Sequence, residues 1–381
     1  MQTFAMLWIA LLTCPFKYAT LLTRVSNTCY SMEGDLKTRR VTSQDVAEQA
    51  GVSRTTVSFV LNNVEGAQIG VETRERVLQA AKDLGYVPDA VAQSLASGKS
   101  RTIGLVLARP SRQIAADMYL TQVLDSLFSK LHKHGIRLML EILDDQQSQK
   151  SYLELIRSKR IDGVIYSGPQ FNDETLEALL NIGFPTVLMG YLPDTPFCSV
   201  DIDNYQAART ATEHLVDCGH TSIACITNAS LSYTAAKDRL QGYQDVLESN
   251  HISYDKSLVR YGAFTPESGY IQMKDMLESQ SHQPTAAFIA SDVVAAGAVN
   301  AIHEKGLRIP DDIAIVGFDD VPLARYLTPP LTTVHIPIRA MAQLAFSMIL
   351  QLINRQEPDE KHIFLDAELV IRKSSASSHG E

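Results

Sequence analysis

Arg54 carries a guanidinium, a group whose planar donors can read an acceptor edge on another molecule. Its guanidinium can give two hydrogen bonds to O6 and N7 of guanine, a pairing worth about 1–3 kcal/mol of discrimination. Thr55 can bond to a base or touch a thymine methyl, and Phe59, one helical turn on, offers only apolar contact. Thr42, Ser53, Thr56, Ser58 and Asn62 carry short polar side chains suited to phosphates or helix caps. Enzyme chemistry has no comparable footing. No Gly-x-Gly-x-x-Gly follows a strand, no phosphate loop ends in Gly-Lys-Ser/Thr, and neither a nucleophile elbow nor a metal-spaced His pair occurs. The 10 His residues are scattered, so no metal site and no cofactor are expected.

The elements that must position Arg54 lie in TSQDVAEQAGVSRTTVSFVLN, residues 42–62. Thr42 is a good N-cap, with Asp45 three residues on in a capping-box place. Val46, Ala47 and Ala50 share a helical face, and Gly51 can turn the chain at the helix end. Ser53 can cap a second helix with Val57, Val60 and Leu61 as its apolar face. Ala47 and Gly51, both small, let the two helices cross closely. This is the pattern of a helix-turn-helix, whose second helix enters the major groove. An ordinary helical hairpin in a larger core has the same pattern, and the residues beyond Asn62 decide between them. A third helix is predicted near residues 73–84, with Val77, Ala80, Ala81 and Leu84 packing on the first two.

The 381 residues carry a formal net charge of -9, which is not that of a general nucleic-acid coat. The segment from Lys37 to Arg101 is mildly basic and the remainder holds the acidity. A basic head on an acidic body suits a module that touches DNA at one end. Five cysteines with no Cys-x-x-Cys pair imply a reducing compartment and no structural metal. Residues 1–36 fit the rest poorly. The apolar run Phe4–Leu12 is too short to span a bilayer, and no basic residue precedes it. A disordered or untranslated leader, with Met32 as the natural start, is preferred over a signal peptide or a membrane anchor.

From residue 102 to 372 the pattern changes to alternating strands and helices. Ile103–Leu107 is a continuous apolar run, as buried parallel strands show. Strands at 137–142, 163–166 and 186–189 follow, with helices at 118–134, 148–158 and 205–217. A second series starts at 223–226 and continues through 286–289 and 314–317. Two such series imply two doubly wound α/β lobes.

The string from Thr42 onward resembles the LacI/GalR family of bacterial transcription regulators, and the resemblance extends to about Arg372. It implies an α + α/β chain: a helix-turn-helix headpiece and hinge helix, then two lobes of periplasmic-binding-protein type. The corresponding domains are a leader at 1–36, a DNA-binding domain at 37–87 and a hinge and linker at 88–101. An effector-binding and dimerisation body at 102–373 and a disordered tail at 374–381 complete the chain. The resemblance places Arg54, Thr55 and Phe59 toward base edges, Phe59 standing where relatives often have Arg. It makes 86–99 a hinge in which Leu95 wedges into the minor groove with small Ala92 beside it, kinking the duplex. It also implies that the chain crosses between lobes near Gly219, Val334 and Leu365, so that the helix at 338–354 returns to the first lobe.

Ligands of open α/β sheets bind beyond the carboxyl ends of strands. Arg239 in AKDRLQGY, Ser291-Asp292 after AAFIA and Asp319 in GFDD match the family's ligand positions. Asp117, Tyr119, Tyr166, Tyr191 and Phe318 complete the candidates, since charged groups bond vicinal hydroxyls and aromatics stack on a sugar face. The plain alternative makes Asp292 a helix cap and Asp320 a loop brace. The expected protein is a cytoplasmic homodimeric repressor. Its partners are operator DNA and a small effector of carbohydrate type, with no membrane. The rival is an exported sugar-binding protein of an uptake system, which would have no use for residues 42–99.

Overall fold

The computed structural model describes residues 41–62, 66–87, 98–114, 117–143, 146–279 and 283–375. Two compact units divide at residue 93. The first holds helices α1 (Ser43–Ala50), α2 (Arg54–Leu61) and α3 (Val71–Asp83). Thr42 caps α1 in a full capping box with Asp45, and Gly51 ends it at φ +64°, a left-handed conformation that costs glycine little. Val46, Ala47, Ala50, Val57, Val60, Val77, Ala80 and Ala81 form the buried core of the three helices. The apolar spacing read from the sequence therefore becomes a closed miniature core. The hinge candidates Ala92 and Leu95 lie outside the described residues, as do residues 1–40.

The second unit contains two six-stranded sheets. In chain order its elements are β1 (Thr102–Leu107), α4 (Met118–His134), β2 (Arg137–Ile142), α5 (Gln146–Arg157), β3 (Gly163–Ser167), α6 (Glu174–Asn181), β4 (Thr186–Met189) and β5 (Cys198–Ile202). Then come α7 (Asn204–Asp217), β6 (Ile223–Thr227), α8 (Thr234–Ser249), β7 (Val259–Tyr261), α9 (Pro266–Glu278), β8 (Ala286–Ile289), α10 (Asp292–Glu304) and β9 (Ala314–Asp319). The last are β10 (Thr332–His335), α11 (Ile338–Ile353), β11 (His362–Leu365) and β12 (Glu368–Val370). The first sheet runs β11-β5-β4-β3-β1-β2 and the second β12-β10-β9-β8-β6-β7. Every pairing is parallel except β10 with β12. β1, β4, β6 and β8 are buried along their whole length, which explains their unbroken apolar runs.

The chain passes between the lobes three times. The first passage lies at Asp203, not near Gly219. α7 packs on α8 and on strands of the second sheet, so it belongs to the second lobe. The strand that precedes it, β5, reads CSVDI, and its buried Ser199 and Asp201 break the apolar pattern that marks the other strands. The second passage follows β10, and α11 packs against α4 and β3–β5 of the first lobe. A Cβ on Gly163 would sit 2.9 Å from Cδ1 of Ile349, so α11 approaches β3 about as closely as the backbone permits. The third passage joins β11 to β12. Ser374 and Ser375, expected in a disordered tail, are buried instead: Ser374 Oγ donates to Ile315 O at 2.6 Å, and Ser375 bonds Thr332.

Candidate effector cleft and nucleic-acid interface

In the headpiece, Arg54, Thr55 and Phe59 are solvent-exposed on α2, Phe59 at 40%. Arg54 Nε donates to Ser43 Oγ of α1 at 3.0 Å. The other polar candidates make local bonds. Thr42 caps α1, Ser53 Oγ accepts from Thr56 N at 3.1 Å, and Asn62 Nδ2 donates to Ser58 Oγ at 3.1 Å. These bonds fix both ends of α2 and leave Arg54, Thr55 and Phe59 as its outward-facing set.

In the second unit, the carboxyl ends of the strands of both sheets face a cleft between the lobes. Arg109, Asp117, Tyr119 and Asp201 line it from the first lobe, and Asn228, Tyr233, Arg239, Phe264, Ser291 and Asp319 from the second. Met189, Ile336 and Met341 add apolar wall. Of the nine sequence candidates, Asp117, Tyr119, Arg239, Ser291 and Asp319 meet here. The other four lie elsewhere. Tyr166 is fully buried and its hydroxyl donates to Asp173 at 2.6 Å. Tyr191 stacks edge-on with His362 and Phe364 beside the β11 edge of the first sheet. Asp292 is fully buried, where its carboxylate accepts from Val321 N at 3.0 Å and Thr333 Oγ1 at 2.6 Å, bracing the loop after β9. Phe318 is buried beneath Arg239, whose guanidinium lies 3.7 Å from the ring centroid.

Arg239 is held on several sides. Nε donates to Asn204 Oδ1 at 2.8 Å, Nη1 donates to Ala290 O at 2.8 Å, and Asp319 lies 3.7 Å away. Asn204 Nδ2 in turn donates to both oxygens of Asp201 at 3.1 Å. A polar chain thus runs from Asp201 through Asn204 to Arg239 and Asp319, across the Asp203 passage. Asp319 itself sits at φ +110° and Asp320 at +51°. Backbone of this kind costs a non-glycine residue about 1–3 kcal/mol and is tolerated where the surroundings hold it. Here Ser291 and the backbone N–H of Asp292 favour the charged form of the Asp319 carboxyl.

Burial pushes the Asp319 carboxyl up to about 7 despite the opposing charge of Arg239. Burial likewise raises Asp201 to about 6, against the hydrogen bonds from Ile202, Asn204 and Tyr191. Burial and neighbouring carboxylates also raise the Tyr119 phenol. Arg109 pairs with Asp117 and lies 4.9 Å over the ring of Phe264, joining one lobe to the other. With three carboxylates against two guanidiniums, the cleft suits neutral ligands rich in hydroxyls. Sequence reasoning missed Asp201, Asn228, Tyr233 and Phe264 as lining residues. Asn228 follows directly on β6 and was within reach of the strand-end rule. Asp201 was hidden because its strand does not read as one.

Residues 42–89 match the bacterial regulatory proteins of the lacI family, and residues 212–375 match the periplasmic binding protein-like domain. The HTH-type transcriptional repressor PurR of Haemophilus influenzae (strain PittEE) is 34% identical over 341 residues, spanning 88% of this chain and 99% of that protein. The chain belongs to the LacI family. Two solved structures are similar to this LacI-family chain over most of its length. The lac repressor dimer bound to operator and the anti-inducer ONPF has a TM-score of 0.77 and 31% identity, covering 89% of this chain and 100% of that one. The transcriptional regulator CelR–cellobiose complex has a TM-score of 0.68 and 30% identity, covering 88% and 100%. A LacI-family chain of this kind is a transcription regulator and not an enzyme. No helix among the described residues is long and apolar enough to cross a membrane.

Proposed function

We propose that this protein is a cytoplasmic, homodimeric repressor that binds operator DNA through α2 and is controlled by a small carbohydrate effector in the interlobe cleft. The observation that carries the effector half is the convergence of Asp117, Asp201, Asn228, Arg239 and Asp319 from both lobes on one cleft with apolar walls. Hydroxyls that bridge such groups favour one arrangement of the lobes over another, and a ligand shifts an equilibrium only through that difference. DNA and effector must then alter each other's affinity by the same factor.

The DNA half is supported by the closed three-helix core that presents Arg54, Thr55 and Phe59 outward. A homodimer would place two such heads on a pseudopalindromic site. Leu140 and Tyr261, exposed on the edge strands β2 and β7, are apolar surface that a second copy would cover. The exported sugar-binding alternative gives the headpiece no role.

The deciding experiment titrates DNA from the protein's own upstream region, with and without candidate sugars, at moderate salt. Sequence-preferring binding that a sugar modulates is expected. Binding with no sequence preference would sink the repressor reading, and no response to any sugar would sink the carbohydrate one.

A further inference from the structure

Three residues ahead of β1 are gripped by side chains from far along the chain. Asp162, between α5 and β3, accepts from Ser100 N through Oδ1 and from Arg101 N through Oδ2, each at 2.7 Å. Asn354, which caps the C-terminal end of α11, accepts from Lys99 Nζ at 2.7 Å. The two grips share a support, because Asp162 precedes Gly163, the residue that Ile349 and Ile353 of α11 approach most closely.

The sheet itself starts later. The β1–β2 register begins at Thr102 with Arg137, and Asp162 N donates to Thr102 O at 2.8 Å. Ahead of it only Arg101 O is tied to that ladder, by Arg137 N at 2.9 Å. Arg101 stands at φ +52°, a left-handed conformation that a non-glycine residue keeps where its surroundings fix it. Gly98, at φ +67°, turns the chain just before the gripped residues. A carboxylate that accepts from two consecutive backbone N–H groups fixes both the position and the direction of the chain there, with charge-assisted bonds.

We propose that Asp162 and Asn354 form a clamp that sets the residue at which the linker to the headpiece leaves the body, and thereby the half-site spacing that the protein accepts in DNA. This rests on the reading of the protein as a homodimer on a pseudopalindromic operator. Freeing Lys99, Ser100 and Arg101 adds up to about 3.3–3.6 Å of reach per residue, about 10 Å per subunit. One inserted base pair moves two half-sites apart by about 3.4 Å and turns one against the other by about 34°. Released linkers therefore span an added base pair or two that clamped ones do not. Two linked heads that cannot engage together lose the gain in affinity that linkage gives, about 10²–10⁴-fold.

The test measures binding of the full chain, by fluorescence anisotropy, to a duplex from the protein's own upstream region. The same duplex with one or two base pairs inserted at its centre, and a single half-site, are measured beside it. Two inserted base pairs are expected to weaken the unaltered protein by about 30-fold or more. Asp162→Ala should shrink that penalty by about threefold to tenfold, and Asn354→Ala should shrink it by less, with half-site binding retained. Thermal unfolding checks that each variant folds, and Asn354→Ala decides the matter alone if Asp162→Ala does not. A full spacing penalty in the folded variants would overturn the clamp, as would equal weakening on every duplex or an unaltered protein indifferent to spacing. Binding with no sequence preference would instead overturn the operator reading, and the clamp with it.

Discussion

The guanidinium carbon of Arg239 lies over the ring of Phe318, 3.7 Å from its centroid. The sequence offers Phe318 as a stacking face for a sugar, but the structure gives that face to the arginine. A cation over an aromatic face gains about 0.5–2 kcal/mol when partly desolvated. The ring therefore acts as a shelf that holds Arg239 toward the cleft.

Phe318→Leu keeps most of the buried apolar volume and removes the shelf. Effector affinity is expected to fall by about 2–30-fold, the equivalent of that contact. Global stability should drop by only about 1–2 kcal/mol, as for other near-isosteric core exchanges. Calorimetric titration and urea unfolding measure the two effects. Unchanged effector affinity would show that Arg239 is held well enough by Asn204 and Ala290 alone.

Arg54 donates to Ser43 Oγ at 3.0 Å on the surface of the headpiece. Arg54→Ala is expected to relax preference at one base pair of each half-site, by about 1–3 kcal/mol. Binding to a randomised operator library, read by sequencing, checks this. Uniform weakening across all sequences would make Arg54 a phosphate contact. Ser43→Ala should have a much smaller effect, since it removes only one exposed bond to the arginine.

These two sites differ in how far the sequence revealed them. α1 and α2 were legible because Thr42, Gly51, Ser53 and the apolar spacing act locally, within a few residues of one another. The alternation of β and α was legible for the same reason wherever strands are apolar throughout. The cleft was only half legible, because its composition depends on which strand ends the sheet order brings together. Tyr166 and Asp319 each lie at the carboxyl end of a strand. Only the second turns into the cleft, at a φ of +110°. Asp201 shows the converse: its strand carries polar residues inward and does not announce itself.

Asp319 and Asp201 give the cleft a pH response. Their carboxyls are raised to about 7 and about 6. A carboxyl whose folded value is raised stabilises the fold at low pH, and that contribution is lost as pH rises through the folded value. Lobe stability should therefore decline between about pH 4 and pH 7 from these two groups. Effector hydroxyls donate best to ionised carboxylates, so effector affinity should rise from pH 6 to pH 8, with protons released on binding. Calorimetry in buffers of different ionisation enthalpy measures that release. Affinity flat across this range would show that neither carboxylate changes its charge when the effector binds.

The lobes also meet directly at the cleft mouth. Tyr233 Oη donates to Ala108 O at 2.6 Å, Phe171 N donates to Ser232 O at 2.8 Å, and Thr234 N donates to Pro169 O at 3.3 Å. Tyr233→Phe removes one of these three bonds without changing the ring that lines the cleft. A hydrogen bond of this kind contributes about 0.5–1.5 kcal/mol net. Effector dissociation should accelerate by about 2–12-fold while association changes little, because contacts broken on opening act mainly on the off-rate. Stopped-flow displacement resolves the two rates. A slower association with unchanged dissociation would place the Tyr233 hydroxyl on the path of the incoming ligand instead of on the closed state.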